Sequence, residues 1–393
     1  SPFAIRHSPF AIRHSPFAIR HSPFAIRHSP FAIRRYYPDL TMSTMAHRLA
    51  MSRLAPIQIT SHGHPVTSGI PTIDYYVSWA AAELEYELAS THYTEELILL
   101  PGHTMHQYNE RVLIAGAGTG IVAAPGGVVE GSGASKNKIS IPVGARGDIF
   151  PSIATKLGDK GKNWYVCMQK PFKLHAKFGK VMAGILEADE DAVIVLHASD
   201  EKSGGEDRKW KLDEQRVFYM PTLPHHLLMA LYASADVVLD GYYAGGCTTT
   251  REALEVGAVV VTLPGKYLGG RWSTAFYNIM GVEGAVANSE ENYIEIAARL
   301  GRDKDLLEGL RREVRENVWK LFQREESVEG WVNVLEGLAN GDSANSRNKG
   351  NRANERANKR EKRANKRINR GQRTHAHRGN RGNRPIKRTG NEL

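Results

Sequence analysis

Between Trp164 and Thr262 short apolar runs alternate with amphipathic stretches, and few folds accommodate that alternation. Trp164-Tyr-Val-Cys-Met168 reads as a strand, Phe178 to Glu187 as a helix and Ala192-Val-Ile-Val-Leu196 as a second strand, because the hydrophobic period switches between two and 3.6. The pattern continues through Val217-Phe-Tyr-Met220, a helical Leu227 to Ala235, Asp236-Val-Val-Leu-Asp240, a helix from about Thr248 and Ala258-Val-Val-Val-Thr262. Strands apolar on both faces need helices over both, which predicts an α/β fold with a doubly wound parallel sheet. In such sheets ligands sit at the carboxyl ends of the strands, where loops lead into helices.

The two ends of the 393-residue chain follow other rules. Residues 1–35 are five near-identical copies of Ser-Pro-Phe-Ala-Ile-Arg-His. A proline in every copy forbids a continuous helix, and the Phe and Ile spacing fits neither a coiled coil nor a solenoid, so disorder is predicted. Residues 343–393 are rich in Asn, Arg, Lys and Gly and nearly free of apolar side chains, the composition of a low-complexity tail that cannot bury a core. The formal net charge of +10 comes from these ends. The tail holds 17 Lys/Arg against 3 Glu and the repeats 6 Arg, which leaves the body with 29 basic against 39 acidic residues. The overall basicity therefore says nothing about a site in the body. A nucleic acid or other anionic partner for the tail is one reading, with strongly salt-dependent binding lost on removing residues 343–393; a solvated end with no partner is the other. Two cysteines, no cleavable signal and no run of eighteen apolar residues point to a reducing cytoplasm or nucleus with no membrane span.

After Asp240 the loop reads Gly241-Tyr-Tyr-Ala-Gly245-Gly246-Cys247-Thr248-Thr249-Thr250-Arg251-Glu252. Glycines let backbone approach a ligand, the first-turn N–H groups of a helix have no intrahelical partner, and the dipole favours anions, which together suit a phosphate. Glu252, one turn into the helix, is placed to accept from a ribose diol. A helix cap and a tight turn call for the same residue types, so the loop alone does not decide.

Its neighbours carry more. Ala235-Asp236-Val-Val-Leu-Asp240, the Gly-Gly-Cys-Thr-Thr loop, Glu252-Ala-Leu-Glu-Val-Gly257 and Val261-Thr-Leu-Pro-Gly265 with Arg271 resemble glycosyltransferase family 41, which includes the O-linked N-acetylglucosamine transferases and SPINDLY-type fucosyltransferases. Upstream, Leu54-Ala-Pro-Ile-Gln58, Gly63-His-Pro-Val-Thr-Ser-Gly69 with Asp74-Tyr75, and Leu99-Leu-Pro-Gly102 extend the resemblance. It implies a GT-B-type glycosyltransferase with one complete doubly wound Rossmann-like lobe at 161–342, which binds the nucleotide sugar, and part of an acceptor-side lobe at 36–109. Residues 110–160 read as an insertion or linker between them.

The resemblance implies that Thr248 and Thr249 hold a diphosphate, that Glu252 holds the ribose and that Lys173 neutralises phosphate charge. Gly246, Cys247 and His226, just before the Leu227 helix, join this donor set; Gly63, His64, Pro65 and Thr67 form an acceptor-side loop. The implied reaction is metal-independent, inverting transfer of a sugar, N-acetylglucosamine from UDP-N-acetylglucosamine, to Ser/Thr hydroxyls of proteins. No cofactor or metal is expected, the UDP-sugar being a co-substrate, and no catalytic residue is assigned. Cys247 replaces the family's usual histidine and Val66 its glycine. In the family a longer stretch precedes the Ala-Pro-x-Gln segment, where this chain has its repeats, so a truncated, non-catalytic nucleotide-sugar-binding remnant is the alternative.

Three further patterns carry less. Cys247 followed by Arg251 is too close for a Cys-x5-Arg phosphatase cradle. Gly116-Ala-Gly118-Thr-Gly120 mimics a dinucleotide fingerprint, but Pro125 and its glycines replace the required helix. His62, His64, His103 and His106 have pair spacings a metal could use, yet no carboxylate or cysteine stands at motif distance.

Overall fold

The computed structural model describes residues 34–38, 40, 42–63, 65–100, 112–115, 138–141, 146–157, 163–198, 210, 212–322 and 325–340. The repeats up to Ile33, the tail from 343, the Gly116 segment, His64, His103 and His106 lie outside them.

The first lobe is a four-stranded parallel sheet, β1 (Arg34–Tyr37), β2 (Ile57–Ser61), β3 (Tyr75–Trp79) and β4 (Glu96–Leu100), in spatial order β1-β2-β3-β4. It takes in Arg34 and Arg35, which the repeat boundary had assigned to the repeats; they pair with Ile57 and Gln58. Helix α1 (Thr44–Ala50) joins β1 to β2, capped by the Ser43 hydroxyl on the Ala46 N–H, and α2 (Tyr86–Ala89) joins β3 to β4.

A short parallel pair follows, β5 (Val112–Ala115) with β6 (Lys138–Ile141), then α3 (Arg146–Ile149) and α4 (Pro151–Leu157). The stretch 110–160, expected as an insertion or linker, thus brings structure of its own. Phe150 and Ile153 join the main core, and the Arg146 guanidinium lies 4.7 Å over the Trp164 ring.

In the second lobe β7 (Asn163–Cys167), β8 (Ala192–His197), β9 (Val217–Met220), β10 (Val237–Leu239) and β11 (Val260–Val261) form a parallel sheet in the order β11-β10-β7-β8-β9. The chain winds outward from β7 to β9 and returns to lay β10 and β11 on the other side, so the switch point lies between β7 and β10. All of β7 and β8 is buried, as their apolar runs require.

The helices between them are α5 (Ala176–Ala188), α6 (His225–Ser234) and α7 (Thr248–Glu255), with α8 (Trp272–Met280), α9 (Glu290–Arg302), α10 (Lys304–Asn317) and α11 (Glu325–Ala339) after the last strand. Helix α5 buries Phe178, Val181, Met182, Ile185 and Leu186, one face at three-and-four spacing, and α9, capped by Ser289, buries Tyr293, Ile296, Ala297 and Leu300. Each of the large aliphatic or Phe side chains among them contributes about 1.5–3 kcal/mol on burial, an upper bound.

One continuous core cluster takes in both sheets. Trp79 at the end of β3 meets Trp272 at 5.2 Å and Phe276 at 6.0 Å between ring centroids, and α11 returns to pack against β4, with Trp331 5.1 Å from Tyr36. No helix among the described residues is long and apolar enough to cross a membrane.

Candidate donor site

Asp240 closes β10 at the switch point and organises the loop that follows. It is fully buried, and four donors converge on its carboxylate: the Gly246 N–H (2.8 Å) and Gln169 Nε2 (2.5 Å) on Oδ1, the Ser273 (2.5 Å) and Thr262 (3.0 Å) hydroxyls on Oδ2. Burial pushes its pKa above the usual carboxylate value in spite of those hydrogen bonds. Gln169 follows β7, so its bond to Asp240 ties together the two loops that leave the switch point.

Those loops carry most of the residues the resemblance selects. Lys173 ends a 3-10 turn, Pro171–Lys173, after β7, with its side chain exposed. Thr248 and Thr249 open α7, the first exposed and the second half-buried. Cys247 is the N-cap, and its side chain makes no capping hydrogen bond. The cap-and-turn alternative had Thr248 outside the helix as the cap; it is instead the first helical residue.

Gly246 has a different part from the one expected. Its N–H is committed to Asp240, and a Cβ on it would fall 2.6 and 2.7 Å from the Thr250 and Thr249 hydroxyl oxygens. The glycine lets the loop fold down over Asp240; it does not offer its amide to a ligand.

Glu252 is buried, and its Oε1 lies 2.9 Å from Nε2 of His225, which is itself exposed. The sequence singled out His226, but α6 starts at His225, earlier than the Leu227 expected, and it is His225 that the helix turns toward Glu252. His226 is also exposed.

The expected acceptor-side loop follows β2. The Thr67 hydroxyl donates to Glu95 Oε2 (2.6 Å) and lies 2.8 Å from the Thr94 hydroxyl, while Pro65 sits 3.2 Å from where a Cβ on Gly269 would stand. Gly63 is exposed and His64 is outside the described residues.

The loop after β11 joins the two lobes. Gly269 accepts from the Gly245 N–H at 2.8 Å, and a Cβ on Gly265 or Gly270 would stand 2.3 or 2.1 Å from the Tyr242 carbonyl oxygen, so only glycine allows these backbones to meet. Arg271 at the head of α8 donates Nε to Ala82 O in the first lobe (2.7 Å) and Nη1 to Gly265 O (3.1 Å). Glu83 beside it is buried, which raises its pKa although Ser78 and Tyr93 donate to it.

At the opposite, amino end of the sheet, Asp236 holds Lys304 Nζ, Arg146 Nη1 and the Trp164 N–H, each at 2.7 Å. The shallow depression of about 530 Å³ over Arg299, Arg302 and Lys304 belongs to this end, far along the strands from the loops. Among the described residues no three His, Cys, Asp or Glu side chains gather as they would around a metal ion.

Residues 198–329 match the family model described as Glycosyl transferase family 41. The chain is 26% identical over 288 residues to the probable UDP-N-acetylglucosamine–peptide N-acetylglucosaminyltransferase SPINDLY of Solanum lycopersicum, a match covering 71% of this chain and 27% of that protein. It is 39% identical over 80 residues to the UDP-N-acetylglucosamine–peptide N-acetylglucosaminyltransferase of Caenorhabditis elegans, 20% of this chain and 7% of that one. Thus it spans about a quarter of the length of the SPINDLY relatives it matches. Among solved structures, a Thermobaculum terrenum O-GlcNAc transferase mutant superposes with a TM-score of 0.53 at 22% identity, covering 73% of this chain and 48% of that one. Taken with the switch-point loops and the two parallel sheets, these matches make residues 198–329 similar to glycosyl transferase family 41, on the second lobe of a GT-B-like fold.

Proposed function

We propose that the protein is a glycosyltransferase that takes N-acetylglucosamine from UDP-N-acetylglucosamine and places it on Ser/Thr hydroxyls of proteins in the cytoplasm or nucleus. The observation that carries this reading is the α7 terminus: Thr248 and Thr249 open a helix whose N-cap side chain is not used, on the strand next to the one that leads to Lys173. In the transfer the acceptor oxygen bonds to C1 of the sugar as the C1–O bond to the diphosphate breaks. The hydroxyl loses its proton, the configuration at C1 inverts, and UDP departs with the electron pair. Charge then grows on the leaving phosphate. A helix N-terminus and a lysine ammonium there stabilise that charge more in the transition state than in the ground state, and they supply what a metal supplies elsewhere. The names of the relatives support the donor and the protein acceptor; the family match supports the class of reaction.

Calorimetric titration of UDP and GDP tests the site. Thr248→Ala with Thr249→Ala should weaken nucleoside diphosphate binding by about 2–4 kcal/mol, the worth of two charge-assisted hydrogen bonds. Undiminished affinity in the double variant would sink the assignment. Incubation with labelled UDP-sugar and a Ser/Thr peptide then separates a transferase from a protein that only binds the nucleotide sugar.

A further inference from the structure

The loop that leads into α7 is folded around a buried carboxylate. A Cβ on Gly245 would stand 3.0 and 3.2 Å from the two Asp240 oxygens, and the Gly246 N–H donates to Oδ1. Gly246 also packs on the Thr249 and Thr250 hydroxyls, so a single glycine separates Asp240 from the threonines that open α7. Among the described residues no cation pairs with the carboxylate, and its four donors are all neutral. The titratable groups that face it are Cys167 on β7, Tyr232 on α6, Tyr277 on α8 and Tyr293 on α9. Burial above all pushes each of their values up, so all four are uncharged at neutral pH. An anion at the α7 terminus therefore meets a second negative charge beneath it. Two like charges about 8 Å apart, at an effective dielectric constant of about 20, disfavour each other by roughly thirtyfold in an equilibrium constant.

The two oxygens of Asp240 differ in how they can answer that repulsion. Oδ1 accepts from the N–H groups of Gly246 and Gln169, which can only donate. Oδ2 accepts from the Ser273 and Thr262 hydroxyls, and a hydroxyl can turn and accept instead. A proton from solvent can thus sit on Oδ2, donated to Ser273 Oγ, while both bonds on Oδ1 stay in place and the loop with them. The Ser273 hydrogen has two acceptors in reach, Asp240 Oδ2 at 2.5 Å and Thr250 Oγ1 at 3.1 Å. It serves Asp240 while the carboxylate is charged; once Oδ2 holds a proton it turns to Thr250, in the first turn of α7.

We propose that Asp240 takes up a proton when a nucleotide-sugar diphosphate binds at the α7 terminus, and so acts through Ser273 and Thr250 as a positioning residue whose charge the donor switches off. The inference rests on the donor reading above.

The test uses the full chain and UDP-N-acetylglucosamine, whose two phosphates do not titrate between about pH 5 and about pH 8.5. Asp240→Asn copies the protonated carboxyl: its oxygen accepts from Gly246 and Gln169, and its amide donates to the two hydroxyls. Binding that raises a group's hold on its proton must itself tighten toward acid. At about pH 8.5 the variant should therefore bind about tenfold more tightly than the wild type, and the gap should close as pH falls and the wild type protonates. Calorimetry of the wild type in two buffers of unlike ionisation enthalpy should show net proton uptake, kept in His225→Gln, which removes the exposed histidine beside Glu252. A variant weaker than the wild type by the same factor at every pH marks a purely structural aspartate and overturns the proposal. Absence of uptake, or uptake lost in His225→Gln, overturns it too, and these two readings decide the matter if Asp240→Asn does not fold. A wild type that binds no nucleotide sugar at any pH is a separate result, which fails the donor reading itself and this inference with it.

Discussion

Asp236 and Asp240 bracket β10, and their surroundings push their carboxyl groups in opposite directions. Burial disfavours the charge on both. At Asp236 the Lys304 ammonium, the Trp164 N–H and the Arg146 guanidinium outweigh it and hold the pKa below the usual carboxylate value; at Asp240, neutral donors do not, and the value stays raised. The signs of their pH effects differ accordingly. Asp236 contributes stability that is fully present above the unfolded pKa of about 3.9 and is lost as pH falls through its lower folded value. Asp240 keeps its proton longer in the fold than in the unfolded chain, so its contribution declines as pH rises from about 3.9 through its raised value. Asp236→Asn should lower stability in urea by about 2–3 kcal/mol at pH 7, moderated by the partial exposure of Lys304 and Arg146, and the gap to wild type should close in acid. A constant gap down to pH 2 would contradict the ion-pair account. Neither aspartate's task was legible in the sequence, where both read as polar ends of an apolar strand. What each does depends on Arg146, Lys304, Gln169 and Ser273, all remote along the chain. The same holds for His225 against His226: the sequence placed a histidine at the head of α6, but the start of the helix decided which one faces Glu252.

Among the elements, β7 to β11 were readable because their residues are apolar and their partners are helices. The first lobe was harder for a physical reason. In β2 the buried residues include Gln58, Thr60 and Ser61, and Gln58 is satisfied by bonds to Leu54 N–H, Ser52 O and Thr72 O, so a buried strand is written in polar letters. Helix α9 shows the converse, a small residue with a large consequence. A Cβ on Gly301 would fall 1.9 Å from the Tyr165 hydroxyl, which is fixed by a 2.6 Å bond to Asp189. Gly301→Ala should therefore destabilise, because overpacking of about 1–3 kcal/mol exceeds the gain of about 1 kcal/mol in helix propensity. Thermal melts check this, and adding Tyr165→Phe, which removes the atom the methyl strikes, should restore part of the loss.

At the scale of the molecule the lobes are joined by Arg271 on Ala82 O and by the packing of Trp272 on Trp79, with His62 5.6 Å from the Trp272 ring. Trp272→Ala should cost about 3–5 kcal/mol and split a single urea transition into two as the shared core divides. One transition in the variant, seen alike by near-UV and far-UV circular dichroism, would mean that other contacts couple the lobes. The return of α11 to β4, and of Trp331 to Tyr36, bears on how the chain is made. Domains generally fold as units while the ribosome still holds the chain, N-terminal parts first. Here strands of the first lobe are covered by a helix that is translated only after the second lobe. During synthesis the first lobe must wait, part of its apolar face bare, until the whole second lobe has emerged; that interval is when a chaperone would find it.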